Sequence, residues 1–179
     1  MAELAIPDPS VVLLVGAAGS GKSTLAARHF TADEVLSSDA LRGAITGDEA
    51  DQRATRVAFA ALHRTLERRL AAGRLTVVDA TNVTVAARAS IRRLAAVHDT
   101  PCVAVVLDLP APLVHARNAA RTGRVVPADA VERQISRLAA ALDAGTLAAE
   151  GYAVVVHLRD PAAVAALAIR RGPTRPVRT

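Results

Sequence analysis

The run Gly16-Ala17-Ala18-Gly19-Ser20-Gly21-Lys22-Ser23 sets glycines, a lysine and a hydroxyl at the spacing G-x-x-x-x-G-K-[ST]. Glycines at those places let the backbone turn tightly with its N–H groups inward, and a helix starting there adds its positive end, so a polyphosphate is held without side chains. Lys22 can then reach the β- and γ-phosphates and the Ser23 hydroxyl can bind Mg²⁺, with Thr24 completing the nucleotide-binding run. Lys22 is the only lysine in a chain of 22 basic residues. A solvated surface accepts either cation, but a crowded phosphate pocket favours a compact ammonium over a planar fork.

Three further groups carry possible chemistry. Asp39, in Ser37-Ser38-Asp39-Ala40-Leu41-Arg42, ends a short strand-like run, at the sheet edge where ligands bind. A carboxylate there can take the proton of an attacking hydroxyl, and Arg42, one helical turn on, can hold an anionic acceptor. Asp39 can equally be the N-cap of the next helix. Asp79 closes Leu75-Thr-Val-Val-Asp79 and suits a strand-end acid that orders Mg²⁺, the favoured reading, though it can also brace a loop in which Thr81 and Asn82 are caps. Arg117, Arg121 and Arg124, framed by Gly123 and Pro127, suit a lid of arginines over a transferring phosphoryl group. Arg133 and Arg137 read as a solvated basic face.

Positioning these groups requires a layered scaffold. Continuous apolar runs at 11–15, 75–80, 102–109 and 153–158, with a weaker one at 34–38, predict strands covered on both faces. Between them lie helical patterns: one from near Glu49 to Gly73, with Val57, Leu62, Leu66 and Leu70 along its buried side, then 85–97, 111–122 and 128–142. Strands alternating with helices predict an α/β fold with a parallel sheet of about five strands and helices on both faces. Residues 1–169 read as one domain with a lid at about 117–130, and 170–179 as a basic, disordered tail.

The 179 residues are enough for a core without staples. Aromatics make up only 2% of them, so the core must be aliphatic. Cys102 lies in an apolar run and has no disulfide partner, which suits a reducing, cytoplasmic setting. No apolar stretch approaches the roughly 18 residues needed to span a bilayer, and residues 1–10 lack the pattern of a secretory signal. The five histidines show no metal-ligand spacing. A net charge of +5 suits an anionic partner and equally reflects a general arginine habit.

Gly16–Thr24, S-S-D-x-x-R at 37–42, VVDATN at 77–82 and the arginines at 117–124 together resemble the P-loop polynucleotide 5′-hydroxyl kinases, most closely the kinase domain of bacterial RNA-repair enzymes, over roughly residues 9–158. That resemblance implies a P-loop kinase fold, ATP or another nucleoside triphosphate with Mg²⁺, and a 5′-OH DNA or RNA strand as acceptor, with no membrane and no obligatory protein partner. It implies that Lys22 and Ser23 hold phosphates and metal, that Asp39 is the general base, that Arg42 contacts an acceptor phosphate, and that Arg117 and Arg121 clamp the donor. Asp79 and Arg124 join the set on weaker matches. Two other readings are a P-loop kinase of small molecules such as a sugar, nucleoside or antibiotic, and a non-catalytic nucleotide-binding module. Base stacking, common in single-strand binding, has Phe30, Phe59 and Tyr152 as its only aromatic candidates.

Overall fold

A computed structural model describes residues 3–46 and 55–173. The elements run β1 (Glu3–Asp8), β2 (Val11–Val15), α1 (Lys22–His29), β3 (Val35–Ser37), α2 (Ser38–Thr46), α3 (Thr55–Ala71), β4 (Thr76–Asp79) and α4 (Val85–Val97). They continue as β5 (Cys102–Leu107), α5 (Ala111–Ala119), α6 (Ala128–Asp143), α7 (Thr146–Ala149), β6 (Val154–Leu158), α8 (Pro161–Ala166) and β7 (Ala168–Pro173).

Five strands form a parallel sheet in the order β3-β4-β2-β5-β6. Its central strands β2 and β5 are apolar throughout because alternate residues serve opposite layers. Val11, Leu13 and Val15 pack under α3 and α4 against Leu62, Leu66 and Ile91. Val12 and Leu14 face the other way, onto Leu25, Ala26 and Phe30 at α1. Since β2 is central, the loop after it opens at the carboxyl edge of the sheet between β4 and β5, where ligands bind in such folds.

All five predicted strands are present, and the helix at 85–97 has the expected bounds. The helix from near Glu49 is described from Thr55 to Ala71, and Glu49 lies outside the described residues. Its buried side holds Leu62, Leu66 and Leu70 as expected and differs only at its start. Val57 is 53% exposed, while Ala58, Leu62, Leu66 and Leu70 are buried. These four repeat every fourth residue, so the small Ala58, not Val57, starts the stripe. The helix expected to run to Thr122 ends at Ala119, which places Arg121 beyond it.

The expected disordered tail requires a correction. Residues 170–173 belong to β7, which pairs in parallel with β1 as a separate two-stranded ribbon. Leu4 and Ile6 are buried beside Leu167 on the α1 side of the sheet, and Arg171 forms an ion pair with Glu34 at 2.6 Å. The apolar face of β1 and that ion pair supply the order that a basic, proline-rich composition hid. Residues 174–179 lie outside the described residues.

Candidate active site

The loop between β2 and α1 is fixed to its surroundings by backbone bonds. Gly16 N–H donates to the Thr81 carbonyl at 2.9 Å, and Ala18 N–H donates to Oε1 of Gln134 at 2.8 Å. Gly19 has φ +88°, and a Cβ there would collide with the Val114 carbonyl. Only glycine fits so close to α5 in that conformation. Ala17 and Ala18 turn their methyls into a small core with Val114, Val126 and Val131, which leaves the backbone of the loop to face the cleft.

Lys22 is buried, and its Nζ donates to the Gly16 and Ala17 carbonyls at 3.0 and 2.8 Å. An ammonium has three donors, so one remains for a phosphate. Burial pushes Lys22 down to about 8, and Arg121 acts in the same direction against Asp79 and Asp39. A buried ammonium poorly matched by anions is electrostatically ready for a polyphosphate. Arg117, Arg121 and the Gly19–Thr24 segment line a cleft of about 500 Å³, together with Pro161, Val164 and Ala165 of α8.

The Ser23 hydroxyl donates to Oδ2 of Asp79 at 2.7 Å. A hydroxyl and a carboxylate at that separation beside a phosphate cradle are hard oxygen ligands of the kind Mg²⁺ takes, with substrate phosphates and water filling the remaining positions. With two protein oxygens side by side, the donor set fits Mg²⁺ shared with a nucleotide rather than a closed protein cage.

Asp39 lies in the first turn of α2, but it does not cap it: the Ser37 hydroxyl accepts from the Ala40 N–H at 3.3 Å. Oδ1 of Asp39 instead accepts from Arg42 at 2.7 Å and from Arg124 at 3.1 Å. The sequence expectation groups Arg124 with Arg117 and Arg121 in one lid, whereas the structure places its guanidinium against Asp39. Asp39 borders two cavities. One, of about 230 Å³, also takes in Lys22, Arg42, Phe59, Asp79 and Arg124. The other, of about 560 Å³, has a largely apolar wall that includes Ala26, Phe30 and Val35.

Several supporting groups escaped the sequence reading. Thr84, not Thr81 or Asn82, caps α4, its side chain accepting from Ala87 N–H at 3.2 Å. Asn82 is buried with φ +50°, and its Nδ2 donates to the Leu14 carbonyl at 2.8 Å. Its own carbonyl accepts from Arg88 at 3.0 Å. Arg88, fully buried, makes paired bonds to Glu150, which also accepts from the Tyr152 hydroxyl at 3.0 Å. That network braces the β4 end behind Asp79. Asn118 ties α5 to the segment before α6, donating to the Val126 carbonyl at 2.7 Å and accepting from its N–H at 3.2 Å. Cys102 is buried, and burial pushes its thiol up to about 11, as expected of inert packing. Arg133 pairs with Asp129 on an exposed face.

Beside this geometry of the loop, the Ser23–Asp79 pair and the arginines at the cleft stand the likenesses to known proteins. Residues 11–144 match the family of AAA domains designated AAA_33. The chain belongs to that family. No curated protein matches the sequence. Among solved structures, a chain of the Pnkp1/Rnl/Hen1 RNA repair complex is similar with TM-score 0.60 and 22% identity, over 78% of this chain and 47% of that one. This chain therefore spans about half the length of the RNA-repair chain it matches. A gluconokinase from Sinorhizobium meliloti 1021 is similar with TM-score 0.55 and 20% identity, over 88% and 87% of the two chains. A sugar kinase from Janibacter sp. HTCC2649 has TM-score 0.54 and 23% identity, over 86% and 87%. At these identities the likeness is one of fold: this AAA-family chain has the P-loop kinase fold. Among the described residues no helix is long and apolar enough to cross a membrane.

Proposed function

We propose that this chain is an ATP- and Mg²⁺-dependent kinase that phosphorylates the 5′-OH of a DNA or RNA strand. The observation that carries the reading is the Arg42–Asp39–Arg124 cluster in the same cavity as Lys22 and Asp79. A carboxylate acting on a hydroxyl needs no guanidinium partners, but an anionic acceptor brought to that carboxylate does. Phosphoryl transfer proceeds through a loose transition state, so positioning and charge neutralisation matter more than the strength of the base. Both arginine contacts fall on Oδ1, which leaves Oδ2 of Asp39 to accept the hydroxyl proton as the nucleophile attacks the γ-phosphate.

On the donor side, the P-loop amides and Lys22 hold the β- and γ-phosphates, and Arg117 and Arg121 neutralise the charge from the lid. Mg²⁺, when bound through Ser23 and Asp79, draws charge from the phosphate oxygens. Arg124 and Arg42 orient Asp39 and receive an acceptor phosphate. Partial likeness to an RNA-repair chain supports a nucleic-acid acceptor. Nearly end-to-end likeness to a gluconokinase supports a second reading, a small hydroxyl acceptor carrying a carboxylate, which the same two arginines would suit.

The test is transfer of γ-phosphate from ATP to 5′-OH DNA and RNA oligonucleotides, with gluconate assayed in parallel. A strand acceptor whose affinity falls steeply with salt supports the first reading, since phosphate contacts release counterions. Transfer to gluconate and to no strand replaces it with the second.

A further inference from the structure

The chain has only two phenylalanines, and each lines one of the two cavities that meet at Asp39. They are not equivalent. Phe30 is 7% exposed within the core, and Arg171 lies over its ring at 5.5 Å from the centroid, so its faces are already committed. Phe59, on α3, is half-buried and borders the cavity that holds Arg42 and Arg124. Tyr152, the remaining aromatic, is committed to the Arg88–Glu150 network behind the sheet.

The α3 backbone beneath Phe59 is held in place. The His63 ring bridges the Phe59 carbonyl at 2.8 Å and the Ser90 hydroxyl of α4 at 2.9 Å. An aromatic ring on a tethered stretch of helix, an acid and two guanidinium groups thus share a cavity of about 230 Å³. That is smaller than the roughly 300–1,000 Å³ typical of pockets for drug-sized ligands, so it suits the end of an acceptor rather than its length.

We infer that Phe59 is the stacking platform for the terminal base of the acceptor, and that it, with Arg42 and Arg124, selects a nucleoside-bearing phosphate over a sugar acid. This rests on the nucleic-acid reading above and deepens it. Stacking on one aromatic face accepts any base, so the selection is for the presence of a base and not its identity. A sugar acid offers no flat π-face and would gain nothing from the ring.

The test compares a 5′-OH oligonucleotide with the same strand carrying an abasic residue at its 5′ end, using wild-type protein, Phe59→Ala and Phe59→Tyr. In the wild type, loss of the terminal base is expected to raise the acceptor KM about tenfold. Phe59→Ala is expected to raise KM for the base-bearing strand by a similar factor while leaving KM for the abasic strand and for ATP unchanged. Phe59→Tyr should retain the preference. The wild-type comparison stands by itself if the alanine variant folds poorly, and an unchanged KM for ATP reports that it has not. Equal KM values for the two strands in the wild type, or an equal loss on both in Phe59→Ala, would overturn the inference while leaving the strand kinase intact. Transfer to no strand at all would overturn both.

Discussion

The Ser23 hydroxyl and the Asp79 carboxylate meet at 2.7 Å although 56 residues separate them in the chain. One comes from the first turn of α1 and the other from the end of β4, and adjacent parallel strands deliver both to the same edge. Removing either should disturb the metal before it disturbs the nucleotide. Asp79→Asn is expected to raise the Mg²⁺ concentration for half-maximal activity about 10- to 100-fold, the usual effect of losing a supporting partner at a metal. Titration of activity with Mg²⁺ at saturating ATP reads this directly.

Arg121 and Arg124 are three residues apart, yet in the proposed mechanism they act on different substrates. Arg121 lines the cleft over the P-loop, whereas Arg124 bonds Asp39. Arg121→Ala should therefore lower kcat by about 100-fold or more, as for loss of a group that neutralises the transferring phosphoryl. Arg124→Ala should act mainly on the acceptor KM and leave the KM for ATP unchanged. Steady-state kinetics with each substrate varied in turn separate the two.

Arg88 is fully buried, and Glu150, which it pairs with, is 8% exposed. Truncating one partner leaves the other as an uncompensated buried charge, a loss of about 3–5 kcal/mol. Arg88→Met should accordingly lower the midpoint of thermal unfolding markedly, and pairing it with Glu150→Gln should recover part of the loss. Differential scanning calorimetry of the single and double variants measures the coupling.

Glu34 is pushed down to about 2 from an ordinary 4.5, first by its bonds to Arg171 and then by the Thr31 N–H and hydroxyl, with burial opposing them. Because the folded-state pKa lies below the unfolded one, the contact stabilises the protein fully above about pH 4.5, and that contribution is lost as pH falls from there through about 2. Arg171→Ala is expected to cost about 1 kcal/mol at neutral pH, and the gap to wild type should close across that acidic window. Urea unfolding of both proteins between pH 7 and pH 2 tests the sign as well as the size.

The central sheet and the phosphate cradle were legible in the sequence for a common reason: both are written in local runs. A strand covered on both faces is apolar throughout, and the cradle must keep its glycines and lysine in one stretch. Groups whose role is set by distant partners were harder to see. Arg88 looks like any surface arginine until Glu150, 62 residues away, comes to it. Arg124 shares a motif with Arg117 and Arg121, yet its carboxylate partner is 85 residues off. The ribbon of β1 and β7 was hidden as well, since β1 alternates exposed and buried positions and has a proline next to its end, and β7 carries two arginines and a proline. The start of the α3 stripe was misread because Ala58 gives a weaker apolar signal than its neighbour Val57.

Asp39 carries the central claim, and the measurement that tests it most directly is single-turnover transfer from ATP to a 5′-OH oligonucleotide by wild type and Asp39→Asn, with ATP affinity measured on both. Asparagine keeps the shape and can still meet a guanidinium through its amide oxygen, but it cannot take the hydroxyl proton. Loss of transfer by about 100-fold or more with ATP affinity unchanged is the expected result, in line with removal of a general base. Transfer at the wild-type rate would contradict the assignment of Asp39 as the base and, with it, the proposed mechanism.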